Sequence, residues 1–316
     1  MSSRRARLRS LVRSPQSGRV RAVWRVLVPV LAGFLTLLLV SATAFRLGLN
    51  GGQAMVAGFA GTTLVLAAVL VLSARYVDRR PIREYGYHLS RGWWLDLAAG
   101  TGIGTLLVAA TFVLARATGA LRVTSGGPVT DPSTLGWLLV FFVAFVGVAF
   151  YEEYLYRGAF VTNAVEGLTA RGVTRSAAVP LALVASTLAF ALVHLPGALA
   201  GGADVALVAV KTGLLGGLLG VAYVWTDELA LPMGLHLGVN YALMNVFGIG
   251  AAKVPGIPAL LTVEHTATGL WSPARGVPLF VSILVGYGLV AVWVRWRGRD
   301  RTVQQRTRST HSHSDR

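Results

Sequence analysis

Runs of about twenty apolar residues recur along this chain, and they leave few folds open to it. An α-helix rises ~1.5 Å per residue, so each run is long enough to cross the ~30 Å hydrocarbon layer of a bilayer. Eight such runs occur, at roughly 26–45, 54–74, 94–115, 135–157, 178–198, 205–225, 230–248 and 277–296. Hydrocarbon supplies no hydrogen bonds, so backbone inside it must be helical or closed into a barrel. The alternating ten-residue pattern of an outer-membrane barrel is missing. The expected fold is all-α, a polytopic membrane helix bundle with about eight transmembrane helices.

Charge then orients the bundle. The net charge of +16 could suggest nucleic acid, but the basic residues flank apolar runs instead of forming one soluble face. The leader before the first run carries eight arginines from Arg4 to Arg25, and the connection after the second carries five from Arg75 to Arg91. The tail adds seven from Arg295 to Arg316, and Arg157, Arg171 and Arg175 follow the fourth run. Opposite them stand Arg46, Arg116, Arg122, Lys253 and Arg275. This asymmetry places the protein in the cell membrane as a multi-pass chain with both termini cytoplasmic. Trp93, Trp94, Trp137, Trp293 and Trp296 near run ends suit interfacial anchoring. Lys211 inside the sixth run reads as a snorkelling residue outside any site.

The chain divides accordingly into a basic disordered tail at 1–21, three helices over 22–134, a core of four helices over 135–248, a loop and last helix over 249–298, and a second basic tail at 299–316. Ala42-Thr43-Ala44 has the small-x-small pattern of a signal-peptide cleavage site, but the apolar core before it is long for such a peptide, so it is read as a retained span. The connections 117–134 and 249–276 carry Gly and Pro at loop density. Glycines spaced by four at 100 and 104, 213 and 217, and 216 and 220 read as close helix packing.

Without cysteine the chain has no disulfide or thiol nucleophile, so chemistry must use carboxylates, imidazoles, hydroxyls or amides. Most of its acids fall in connections or tails; the adjacent pair Glu152 and Glu153 does not. His194 and His236 fall in the fifth and seventh runs, with Asn240 and Asn245. A charge at the bilayer centre costs at least ~2.5 kcal/mol, so such groups line a polar cavity together. Glu153 and Arg157 stand four apart with the acid first, the favourable order for a helical ion pair, and read as structural support. Glu152 projects about 100° away and stays available to water as a general base. His236 and Asn240 share one helical face, and His194 lies one turn after Phe190 on another helix.

These motifs, Glu152-Glu153-x-x-x-Arg157, Phe190-x-x-x-His194 and His236-x-x-x-Asn240, resemble in order those of the CPBP intramembrane proteases. That family includes type II CAAX prenyl endopeptidases and bacteriocin-processing or immunity proteins of the Abi group. The resemblance covers about 135–248 and implies a metal-independent glutamate endopeptidase. In it the residue matching Glu152, helped by that matching His194, activates water, while those matching His236 and Asn240 stabilise the oxyanion. The implied partners are a membrane-associated peptide or protein, lipidated in one branch of the family, and the bilayer itself, with no nucleic acid.

Three other readings bear on the same residues. Two His and two Glu could bind zinc, but no His-Glu-x-x-His or other compact ligand pair on one helix appears. A non-catalytic peptide-binding or immunity protein would keep the same cavity. A proton-coupled carrier would show inverted repeats and broken helices in matching halves, and the sequence shows neither clearly.

Overall fold

The computed structural model describes residues 11–13, 19–49, 51–126 and 131–314. Its helices are α1 (Ala22–Arg46), α2 (Gly51–Leu72), α3 (Arg91–Ala117), α4 (Pro132–Glu153), α5 (Thr162–Thr169), α6 (Arg175–Ala200), α7 (Val205–Thr226), α8 (Ala230–Tyr241) and α9 (Val277–Ser314). Among the described residues seven helical segments are long and apolar enough to cross a membrane, the last at Val277–Gly298. The chain is a multi-pass all-α membrane bundle. Of the tails expected at 1–21 and 299–316, residues 1–10, 14–18 and 315–316 lie outside the described residues, as do the side chains from 299 onward.

The seventh apolar run, 230–248, differs from the other seven. It forms α8, 12 residues long, continued by a π-helical turn over Ala242–Val246. Every residue from Ala230 to Val239 is buried. A helix buried on every side by protein lies inside the bundle and not against lipid, which its apolar composition alone would also allow. Leu231, Leu235 and Val239 join one hydrophobic core, while Met233 and Leu237 join the other, so α8 lies between the two.

Glycine on both partners lets α8 lie against α3. A Cβ at Gly100 or Gly104 would come within 2.4 Å of the Leu231 or Leu235 carbonyl oxygen. A Cβ at Gly234 or Gly238 would come within 2.1 or 2.3 Å of the carbonyl oxygens of Leu97 and Thr101. The two small-residue pairs interlock backbone to backbone. Of the glycines noted on the sixth run, Gly216 and Gly220 face Phe190 and Leu183 of α6, and Gly217 faces Tyr287 of α9.

Helix α4 starts at Asp131, whose carboxylate caps it by accepting from the Thr134 amide at 2.9 Å, with Pro132 in the first turn. The helix continues past its expected end at 157, because a π-helical stretch over Tyr154–Val161 carries it into α5. The two longest connections, expected as loops, contribute strands β1 (Leu121–Gly126) and β2 (Leu261–His265). These pair antiparallel with Leu121 opposite His265, and a register shift falls between Val123 and Ser125. Their alternating apolar residues let one face, with Leu121 and Val263, join the core.

Contacts sort the connections onto two ends of the bundle. At one end Arg25 of α1 pairs with Glu166 at 3.1 Å, Arg80 pairs with Glu166 at 2.6 Å, and the Leu229 amide donates to the Gly86 carbonyl at 3.1 Å. Arg297 of α9 donates to Asp96 at 3.0 Å, near the start of α3. At the other end lie the β1–β2 pair and the bond from the Gly52 amide to the Pro255 carbonyl at 2.9 Å.

Candidate active site

Three helices bring the ionisable residues of the core together. Glu153, the last residue of α4, has a side chain with no solvent exposure. Its Oε1 accepts from Arg157 Nη1 at 3.0 Å and from His236 Nδ1 at 2.7 Å. Arg157 Nη2 donates to the Gly216 carbonyl at 2.9 Å, and the guanidinium lies 4.5 Å from the Phe190 ring centroid. The absence of a side chain at Gly216 leaves room for both Phe190 and Arg157. A buried arginine in hydrocarbon thus finds a carboxylate, a carbonyl and an aromatic face.

The glycine interface fixes where His236 points. Residue 236 projects about 200° from 234 and from 238, so a helix held against α3 by those glycines turns its histidine to α4. A carboxylate can only accept, so His236 Nδ1 carries the proton it donates to Glu153. Its Nε2 then faces Glu152 Oε2 at 3.7 Å. Neutral, that nitrogen accepts; protonated, it becomes a second donor whose charge Glu152 and Glu153 offset.

Glu152 has no such fixed partner. Its side chain is 15% exposed, its Oε1 is 3.4 Å from the Tyr151 hydroxyl, and its buried Oε2 takes no hydrogen bond among the described residues. His194 of α6 donates from Nδ1 to the Phe190 carbonyl at 2.7 Å, which leaves Nε2 unprotonated in the neutral ring. Glu152 and His194 line one cavity of about 200 Å³ with Tyr151 and Tyr156. The Phe190 ring sits between the two imidazoles, 4.7 Å from His194 and 6.0 Å from His236.

Six of the seven expected residues therefore meet: Glu152, Glu153, Arg157, Phe190, His194 and His236. Asn240, one turn beyond His236 on α8, is half-buried and makes no hydrogen bond to the cluster among the described residues. Asn245 is buried and donates to the Pro258 carbonyl at 2.8 Å, a loop-fixing contact. Among the described residues no three His, Asp or Glu side chains are grouped to hold a metal ion.

Sequence reasoning placed Asp78 and Glu166 in connections, yet they belong to a second polar cluster. Arg25, 4% exposed, donates to Asn163 at 2.8 Å, and Asn163 donates to Asp78 at 2.8 Å. The Tyr85 hydroxyl also bonds Asp78. Burial and that neighbouring carboxylate push the Tyr85 phenol up. The available signal was a lone arginine four residues inside α1, which needs a partner wherever lipid begins.

No curated protein and no solved structure matches the chain. A family model described as Rce1-like, type II CAAX prenyl endopeptidase, matches residues 134–242. That segment supplies every residue of the cluster and is similar to the type II CAAX prenyl endopeptidase Rce1-like family.

Proposed function

We propose that the chain is an intramembrane endopeptidase that hydrolyses a peptide bond of a membrane-associated peptide or protein with water activated by Glu152 and His194, without a metal. The observation that carries this reading is the contrast within the carboxylate pair. Glu153, wholly buried, has its Oε1 held by both Arg157 and His236, whereas Glu152, partly exposed and 3.7 Å from His236 Nε2, lines a cavity it shares with His194; each carboxylate keeps one buried oxygen without a hydrogen bond among the described residues.

The steps follow from the tautomers. Water between Glu152 and His194 loses its proton to Glu152 as it attacks the peptide carbonyl carbon, and His194 Nε2 orients that water by accepting its second hydrogen. The carbonyl oxygen becomes an oxyanion. His236 stabilises it from Nε2–H in its imidazolium form, and Asn240 adds an amide donor once substrate is bound. Glu152 then returns its proton to the leaving amine, so atoms and charge balance over the cycle.

Leu229 bonds Gly86 at the end of the bundle that gathers the basic connections, and His236 lies seven residues, or about 10 Å, further in. We assign that end, and both termini, to the cytoplasm on charge, so substrate reaches the site from the cytoplasmic half of the bilayer. The test is cleavage of a labelled peptide library by the purified chain in lipid nanodiscs. Wild type should cut a subset, and Glu152→Ala and His194→Ala should each lose about 10²–10⁴-fold in rate. Equal cleavage by all three would end the reading, and peptide binding without cleavage would favour a binding or immunity role instead.

A further inference from the structure

The cavity beside Glu152 has a wall that the matched segment does not provide. Gly33, Phe34 and Leu37 come from α1, and Thr62 and Leu66 from α2, all outside residues 134–242. Thr62 is the informative one. A threonine in a span ordinarily returns its hydroxyl to the carbonyl four residues back. Thr36, Thr63, Thr101, Thr105, Thr111 and Thr212 do so at 2.7–2.9 Å. Thr62 is 1% exposed, yet its Oγ1 has no hydrogen-bond partner among the described residues. Tyr156, 3% exposed, lines the same cavity.

We infer that this cavity is a specificity subsite for one apolar substrate side chain next to the scissile bond, with the Thr62 hydroxyl hydrogen-bonding the substrate backbone beside it. The inference rests on the proteolytic reading above. An apolar cavity of ~150 Å³ holds one benzene, so about 200 Å³ suits a single leucine- or phenylalanine-sized group. A substrate helix must unwind to present its peptide bond, and each backbone group so freed in an apolar site costs several kcal/mol unless it is bonded. An unpartnered hydroxyl on the wall of the cavity that holds the base meets that need. The size of the accepted group is set chiefly at Gly33, where an added Cβ would stand 3.3 Å from Leu155 and 3.5 Å from Leu66. The chemistry thus sits on α4, α6 and α8, while side-chain preference is set by α1 and α2.

The test uses a set of fluorescent apolar peptides that differ at one position next to a cut site, carrying Ala, Leu, Phe or Trp. Peptide binding to the Glu152→Gln chain in nanodiscs is read by anisotropy, and cleavage by the wild-type chain is read in parallel. Leu and Phe should exceed Ala by about 10- to 200-fold in both readouts. Gly33→Leu should flatten the ranking, Leu66→Ala should move it toward Trp, and Thr62→Val should lower kcat/KM about tenfold for all peptides, with recovery in Thr62→Ser. A ranking that ignores both Gly33→Leu and Leu66→Ala would overturn the subsite. If wild type cut none of the peptides, the proteolytic reading would fail; binding that still ranks by size and responds to Leu66→Ala would keep the subsite, and flat binding would overturn it as well.

Discussion

Adjacent in sequence, Glu152 and Glu153 are opposite in circumstance. Glu153 is tied to Arg157 and His236, so replacing it leaves a buried guanidinium without its counter-ion. Glu153→Ala should therefore lose about 3–5 kcal/mol of stability, read as a lowered unfolding temperature in detergent. Asn240 offers the reverse case. Because it holds no bond in the cluster, Asn240→Ala should leave unfolding unchanged while turnover falls about 10²–10³-fold, the usual loss of one oxyanion donor. This division was legible in the sequence because Glu153 and Arg157 stand at the spacing of a helical ion pair while Glu152 points elsewhere. The pairing of Glu153 with His236 was not, since it joins residues 83 apart and depends on how α8 is rotated. Asp78 and Asn163 escaped for the same reason, each being unremarkable in its own segment and meaningful only once α1, α5 and the π-helical turn that follows α2 meet.

Helix α8 shows what hydropathy conveys and what it omits. The apolar run at 230–248 was readable, but a 12-residue buried helix and a spanning one share the same composition, and only their surroundings differ. Its placement depends on glycines at 100, 104, 234 and 238, of which the sequence reading singled out the first two. Gly238→Val should force α8 off α3, destabilising the bundle by about 1–3 kcal/mol or more and cutting activity beyond what the stability loss explains, because His236 moves with the helix. Stability and turnover measured on one preparation would check this. At the other end of α4, hydrogen bonds from Ser133 and Thr134 hold the Asp131 carboxyl down at about 2, against an ordinary value of 3.8. A depressed carboxyl stabilises above its unfolded value and loses that contribution as pH falls toward the folded one. Asp131→Asn should accordingly lower the unfolding temperature above pH 4 and cease to differ from wild type near pH 2.

Over the whole molecule, the apolar runs and the arginine asymmetry made the bundle and its two ends legible, and the ion pairs around Glu166 and Asp96 gather the arginine-rich connections at one end. The β1–β2 pair was hidden because both strands are short and lie in connections rich in Gly and Pro. If that end is cytoplasmic, a single cysteine at Arg83 should be shielded from an impermeant maleimide in intact cells and one at Thr124 should be labelled. The reverse pattern would invert the topology. The central claim is that one carboxylate of the pair performs chemistry while its neighbour holds the fold. Turnover and unfolding temperature of Glu152→Gln and Glu153→Gln, measured side by side, test it most directly. The account predicts that Glu152→Gln unfolds like wild type and does not turn over, while Glu153→Gln unfolds at a clearly lower temperature. Retained turnover in Glu152→Gln, or loss of its fold, would contradict it.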